Sequence, residues 1–259
     1  MTVVTTGART DIGCRRALNE DSILVGRHVW AVADGMGGHA AGDVASRIVV
    51  ETLAELDQVE ALKPADVSAG VARANERVLQ FSAVNPESAG MGSTVTGLAR
   101  VFVWGTEHWA IFNVGDSRVY RCHAGTMARA TVDHSETEEL ILGGRLTERA
   151  ARDHSQRNVI TRSVGSDPAP QVDLWVLPQT PGERFLVCSD GLTTELTDED
   201  IASVIVNETD PDRAAEELLR RALAEQARDN VSVIVVDVAS SDATVDETTQ
   251  PRVPVMRES

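Results

Sequence analysis

The sequence predicts an α+β fold, and three observations carry that expectation. Strand-like runs follow one another as a meander between residues 93 and 131. Helical patterns come in two pairs, residues 40–56 with 64–81 and residues 198–207 with 211–227. Strands and helices do not alternate in the βαβ manner of a parallel sheet.

The first strands are expected at 22–25 and at 28–34, HVWAVAD, which is apolar on both faces and therefore central in a sheet. From Ala40 to about Leu56 the apolar residues Val44, Ile48, Val49, Leu53 and Leu56 recur at helical spacing. A second helix is expected from Pro64, an acceptable first-turn proline, to Phe81, with Val67, Val71, Asn75 and Val78 on one side. NPESAG ends it.

Residues 93–131 read as three or four strands, punctuated by the turns Trp104-Gly105-Thr106-Glu107 and Ala124-Gly125. From 133 to about 170 the chain turns polar and mixed, an excursion from the core with a short helix at 136–142. VDLWVLP and ERFLVCSDG are two further strands joined through Gln179-Thr180-Pro181-Gly182. Helices follow at 198–207, capped by Thr197 or Asp198, and at 211–227, with Ala214, Leu218, Leu219 and Leu223 inward. VSVIVVDV at 231–238 is the last strand. Residues 240–259, polar and unpatterned, are expected to form a disordered tail after one domain over 1–239.

With 24 Lys and Arg against 40 Asp and Glu, the net charge of −16 argues against a partner held by its phosphate backbone, so nucleic acid is not expected. Three widely spaced cysteines, Cys14, Cys122 and Cys188, give neither a disulfide framework nor a metal knuckle, and a reducing compartment fits them best. Neither a membrane span nor a signal peptide is expected, and the reading is cytoplasmic.

Four acidic motifs stand at the ends of apolar runs: Asp34-Gly35 after HVWAVA, Asp116 after IFNVG, Asp190-Gly191 after FLVCS, and Asp229-Asn230 before VSVIVV. Each alone reads as a turn. Yet no alternating strand follows Asp34-Gly35 or Asp190-Gly191, as a tight hairpin requires, and carboxylates gathered at strand ends need a positive charge between them. After Asp34 comes the glycine-rich Gly35-Met36-Gly37-Gly38-His39, whose backbone can approach an ion closely, so the Gly35 carbonyl is a candidate ligand. Upstream, Glu20 and Asp21 face opposite ways on an extended segment, so one of them meets a given site and the other orients its neighbours. Oxygen donors without a thiolate or histidine cluster select a hard ion, Mg²⁺ or Mn²⁺.

In this order the motifs resemble the metal-dependent Ser/Thr protein phosphatases of the type 2C (PPM) family. The matching pieces are Arg16-(x)2-Asn19-Glu20-Asp21, Ala33 to His39, Gly90-Met91-Gly92-Ser93-Thr94, Gly115-Asp116-Ser117-Arg118, Cys188-Ser189-Asp190-Gly191-Leu192 and Asp229-Asn230-Val231-Ser232. DGMGGH is similar to the bacterial branch that opposes Ser/Thr kinases. The resemblance implies two stacked antiparallel sheets flanked by helix pairs, with residues 134–165 as a small flap beside the site. Where the family commonly has Lys-Asp-His, this chain reads Val132-Asp133-His134.

Carried over by position, the resemblance implies that Asp34 bridges two metals, with the Gly35 carbonyl, Asp190 and Asp229 completing the first. Glu20 serves the second, chiefly through water, and Asp116 with Asp190 matches a third, weaker position. Arg16 matches the phosphate-binding arginine, its planar fork suited to two oxygens. The implied chemistry is attack by a hydroxide bridging two ions on a phosphoserine or phosphothreonine of a protein substrate, with His39 as the proton donor to the leaving alkoxide. The threonines Thr244, Thr248 and Thr249 of the acidic tail resemble kinase targets read by phosphothreonine-binding domains. Two other readings share the fold: a binding module without turnover, which would lack metal carboxylates, and a phosphatase of small metabolites.

Overall fold

A strand that is apolar on both faces must be covered on both, and this requirement organises the chain into four layers. In the computed structural model, which describes residues 3–37, 41–151 and 154–239, every strand pairing is antiparallel. The first sheet holds β1 (Val4–Asp11), β11 (Val231–Val238), β10 (Arg184–Cys188), β7 (Arg118–His123) and β8 (Thr126–Arg129), in that order. The second runs β2 (Asp21–Val25), β3 (Val29–Met36), β5 (Val95–Val103), β6 (Thr106–Val114) and β9 (Asp173–Pro178), with the two-residue β4 (Gly92–Ser93) attached to β3.

The period of two divides each central strand between two cores. Val29, Ala31 and Ala33 of β3 pack under α1 (Gly42–Ala54) and α2 (Pro64–Val84), whereas Trp30 and Val32 face the other sheet. On the opposite side, Leu186 and Cys188 of β10 and Val231, Val233 and Val235 of β11 meet α5 (Asp190–Glu195), α6 (Asp198–Asn207) and α7 (Pro211–Ala224). Between the sheets lie Phe185, Val187, Ile234 and Val236 against Leu98, Trp109 and Ile111. Edge-to-face contacts join Trp30 to Trp109 and Trp109 to Phe185, at centroid separations of 6.0 and 5.6 Å.

The α+β class, the central position of the 28–34 strand and the helix pairs agree with the sequence reading. The expected inward face of α1 is rotated: Ala45, Val49, Thr52 and Leu53 are buried, while Val44 and Ile48 are only partly so. Thr197 caps α6 by accepting the Asp200 N–H. The helix expected at 211–227 stops at Ala224, and the strands joined through 179–182 belong to different sheets.

β1 and α5 are among the elements not expected. β1 pairs with β11 over eight residues, but its sequence VTTGARTD lacks the apolar alternation of a half-buried strand. Its Gly7 lies beneath the start of α7, where an added Cβ would come 2.2 Å from the Pro211 carbonyl oxygen. α5 begins at Asp190 itself and spans only six residues, too few for a helical period to register. The excursion after β8 carries α3 (Glu136–Leu142), where a helix was expected, and α4 (Glu148–Ala151). Bridges from Ser135 to Ile160 and from Ser93 to Val164 tie its two ends to each other and to the second sheet.

Candidate functional site

The sandwich leaves a pocket of about 200 Å³ at one end, where both sheets contribute chain ends. Arg16, Glu20, Asp34, Gly35, Asp116, Asp190 and Asp229 all line it, so seven of the eight candidate residues lie together. His39 lies outside the described residues. Asp34 comes from β3, Asp116 from the β6–β7 turn, Asp190 from the first turn of α5, and Asp229 from the residues just before β11. Glu20 and Arg16 sit in the connection between β1 and β2.

Alternation separates Glu20 from Asp21 as expected. Glu20 lines the pocket, whereas Asp21 is buried behind it, opposite Asp34 in the β2–β3 register, and accepts the Ser189 hydroxyl at 2.8 Å. The Asp34 backbone is fixed on both sides: its N–H donates to Thr94 Oγ1 at 3.0 Å, and its carbonyl accepts the Thr94 N–H at 2.8 Å. Gly35 and Gly191 are demanded by close approach. A Cβ on Gly35 would lie 2.0 Å from the Gly42 carbonyl oxygen, and one on Gly191 would lie 1.9 Å from that of Asn230.

Burial, followed by the charges of Asp21, Asp190, Asp116 and Asp229, lifts the Asp34 carboxyl well above the usual carboxylate range. Asp116 is lifted likewise, by burial and then by Asp190 and Asp133. Burial and Asp229 raise Asp190 to about 6, while a hydrogen bond with Asp34 opposes the shift. Asp21 reaches about 7, through burial first. Oδ1 of Asp21, Asp116 and Asp190 is in each case buried without a hydrogen-bond partner. A cluster of this kind calls for added positive charge, and one arginine supplies part of it. Arg16 donates from Nη2 to Asp229 at 2.6 Å and lies 3.8 Å from Glu20. Among the described residues no three acidic, histidine or cysteine side chains converge as a bound ion requires. Asp229 is occupied by Arg16.

The raised carboxyls set a pH dependence. A carboxyl whose folded pKa exceeds its unfolded value adds stability below the unfolded pKa and loses that contribution as pH rises through the folded one. For Asp190 and Asp21 the loss runs from about pH 4 to about 7. Chelator-treated protein is therefore expected to melt at a lower temperature at pH 8 than at pH 5.5, and a divalent ion should restore more at pH 8. Melting curves in the two buffers check this, and a higher melting temperature at pH 8 in chelator would contradict it.

Other participants were not picked out in the sequence. Asn158 and Ile160 line the pocket from the excursion, whose mixed composition carries no periodic signal. Asn230 stood within a matched motif without a role. Its carboxamide donates to the carbonyls of Ile12 and Leu18, each at 3.0 Å, and accepts the Glu20 N–H at 2.8 Å. It therefore holds the Arg16–Glu20 loop against the start of β11. Asp133 and His134 are buried and face the protein, with Asp133 accepting Arg118 at 2.6–3.0 Å. Cys188 is also buried, its thiol pushed up to about 12 by burial, which fits a small core side chain.

A four-layer sandwich with a carboxylate pocket at the mouth between its sheets defines a class of protein, and comparison with known proteins agrees on which. The family model for protein phosphatase 2C matches residues 14–232. The serine/threonine protein phosphatase PstP of Mycobacterium tuberculosis is 36% identical over 238 residues, which is 91% of this chain and 45% of that protein. The chain thus spans about half the length of that relative. A putative protein phosphatase 2C-type of Streptococcus pyogenes is 33% identical over 90% of this chain and 97% of its own length. The crystal structure of the M. tuberculosis phosphatase superposes with a TM-score of 0.84 at 34% identity, covering 92% of this chain and all of that one. A second structure, of the PstP catalytic domain in complex with two manganese ions, gives 0.83 at the same identity over 93% of this chain and all of that one. The chain belongs to the protein phosphatase 2C family.

Proposed function

We propose that this chain hydrolyses phosphoserine and phosphothreonine in proteins with the help of Mn²⁺ or Mg²⁺. The observation that carries the reading is the pocket where Glu20, Asp34, Asp116, Asp190 and Asp229 meet Arg16, within a family whose PstP member has been seen with two manganese ions. Buried carboxylate oxygens without partners and carboxyls raised by mutual repulsion suit hard divalent ions. Asp34 would be shared between two ions, with the Gly35 carbonyl, Asp190 and Asp229 on the first and Glu20 on the second, while Asp116 with Asp190 would offer a third, weaker position. When bound, such ions supply charge neutralisation at the phosphoryl group and a water acidic enough to attack it at neutral pH.

The chain's own residues do the rest. Arg16, once Asp229 turns to a cation, has its fork free for two phosphate oxygens. His39 is assigned from the sequence as proton donor to the departing Ser or Thr oxygen. The segment 134–165, which places Asn158 and Ile160 at the pocket, acts as a flap against the substrate.

Turnover of a phosphothreonine peptide in Mn²⁺, set beside turnover of phosphorylated metabolites, tests the reading. Peptide turnover should dominate and vanish in excess EDTA. Full activity in EDTA would remove the metal, and preference for a metabolite would remove the protein substrate. Arg16→Ala is expected to raise KM roughly tenfold or more with a smaller change in kcat, as for loss of a charge-assisted contact made already in the ground state. An unchanged KM would rule that contact out.

The partner on the other side of the reaction is a Ser/Thr kinase, and the tail threonines Thr244, Thr248 and Thr249 are its proposed targets on this chain. They lie outside the described residues. Mass spectrometry after co-expression with such a kinase should find phosphate there.

A further inference from the structure

Asp116 sits in the three-residue turn Gly115-Asp116-Ser117 between β6 and β7, and this turn is gripped from outside the two strands it joins. Gly115 adopts φ 109°, and a Cβ there would come 2.5 Å from the Thr94 side chain. The grip comes from His134, which lies at the start of the excursion and takes both backbone polar groups of Gly115. The Gly115 N–H donates to His134 Nδ1 at 3.1 Å, and the His134 N–H donates to the Gly115 carbonyl at 2.9 Å. Asn113 adds a second bond to that carbonyl at 3.0 Å, and a third at 3.0 Å to the carbonyl of Val132.

The first of these bonds fixes the tautomer. A ring nitrogen that accepts a backbone N–H carries no proton, so the imidazole proton sits on Nε2 and donates to Asp173 Oδ2 at 3.1 Å. Asp173 Oδ1 accepts Arg162 Nη1 at 2.8 Å, and the same Nη1 lies 3.1 Å from His134 Nε2, donor against donor. The charged groups around the ring are therefore Asp173 on β9, Arg162 on the returning arm of the excursion, and Asp133 beside it in sequence. Burial holds the ring's pKa below its ordinary value. A second ring proton, on Nδ1, would point at the Gly115 N–H. The His134 carbonyl in turn accepts the Thr161 N–H at 2.8 Å, so the returning arm of the excursion is tied to the residue that grips the turn presenting Asp116.

We propose that His134 is a positioning residue: its neutral Nε2–H tautomer clamps the Gly115 peptide and thereby aims Asp116 into the pocket, coupling the placement of the 134–165 segment to that carboxylate. The clamp is independent of the phosphatase reading, and only its consequence for metal binding rests on it.

Long-range ¹H–¹⁵N spectra of the full chain read the tautomer directly. An unprotonated Nδ1 with a protonated Nε2 is expected, and a protonated Nδ1 would overturn the proposal with no variant needed. His134→Asn keeps an acceptor where Nδ1 stands, whereas His134→Gln offers its amide near Nε2 instead. Hydrogen exchange at the Gly115 amide should stay within about threefold of wild type in H134N and quicken about tenfold in H134Q, as for loss of one net hydrogen bond. Equal protection in the two variants would overturn the clamp.

Titration with Mn²⁺, followed by electron paramagnetic resonance of the free ion, should show the weakest site loosened about tenfold in H134Q but not in H134N, with the tighter sites unchanged. Identical binding in both would remove the aiming of Asp116. Failure of the wild type to bind Mn²⁺ at all would instead strike the metal reading, leaving the tautomer and exchange results to decide the clamp.

Discussion

Asp34→Asn is expected to lower kcat/KM by at least about 10²–10³-fold and, in the same protein stripped of divalent ions, to raise the melting temperature. The two effects have one origin. Asp34 is the carboxylate most hemmed in by others, with Asp21, Asp190, Asp116 and Asp229 all pushing its proton affinity upward after burial. Without a cation its charge is a burden, and an amide of the same shape removes that charge while keeping the backbone bonds to Thr94. Under the proposed assignment the same charge would be the shared ligand once cations are present, and its loss would cost transition-state stabilisation of the size seen when one preorganised electrostatic contact is removed. Steady-state kinetics with Mn²⁺ and a melt in chelator check both halves. A variant with near wild-type turnover would refute the ligand assignment, and one that melts lower in chelator would refute the repulsion argument.

Trp109→Ala should have the largest effect on stability. The indole lies fully buried between the sheets, edge-to-face against both Trp30 and Phe185, and the Arg100 guanidinium stands 5.9 Å from its ring. Truncating a buried aromatic of this kind costs about 3–5 kcal/mol, from lost transfer energy and the cavity left behind. For a chain of this size that corresponds to a fall of roughly 6–20 °C in melting temperature. Calorimetry at fixed Mn²⁺ concentration measures it. Trp109→Phe should recover much of the loss, and a Trp109→Ala protein that melts within about 2 °C of wild type would show that the inter-sheet core does not depend on this ring.

How much of this was legible in the sequence depended on what kind of signal each residue carries. The central strands were plain because burial on two faces forces unbroken apolar runs such as VWAVA and VSVIVV. β1 was hidden for the complementary reason: as an edge strand beneath α7 it needs small and polar residues, Thr5, Thr6, Gly7 and Arg9, more than apolar ones. Asp34, Asp116, Asp190 and Asp229 were found because each closes or opens such a run, whereas Glu20 stood out only beside Arg16 in a polar stretch. Asn158 and Ile160 were not, since they reach the pocket from a segment whose path is set by isolated bridges and side-chain bonds rather than by any period. Asn230 shows a further limit. Its identity was visible, but its work is done on the carbonyls of Ile12 and Leu18, more than two hundred residues away in the chain.

That distance has a kinetic meaning. β1 meets β11 in a register that joins Val4 to Val238, and the pocket draws residues from both sheets, from Glu20 to Asp229. The cluster therefore exists only after the ends of the chain have found each other and the sheets have docked, which makes it one of the last features to form. A cation held there stabilises the finished state but not the barrier that precedes it. Divalent ions should accordingly lengthen the lifetime of the folded protein while leaving its rate of refolding almost untouched.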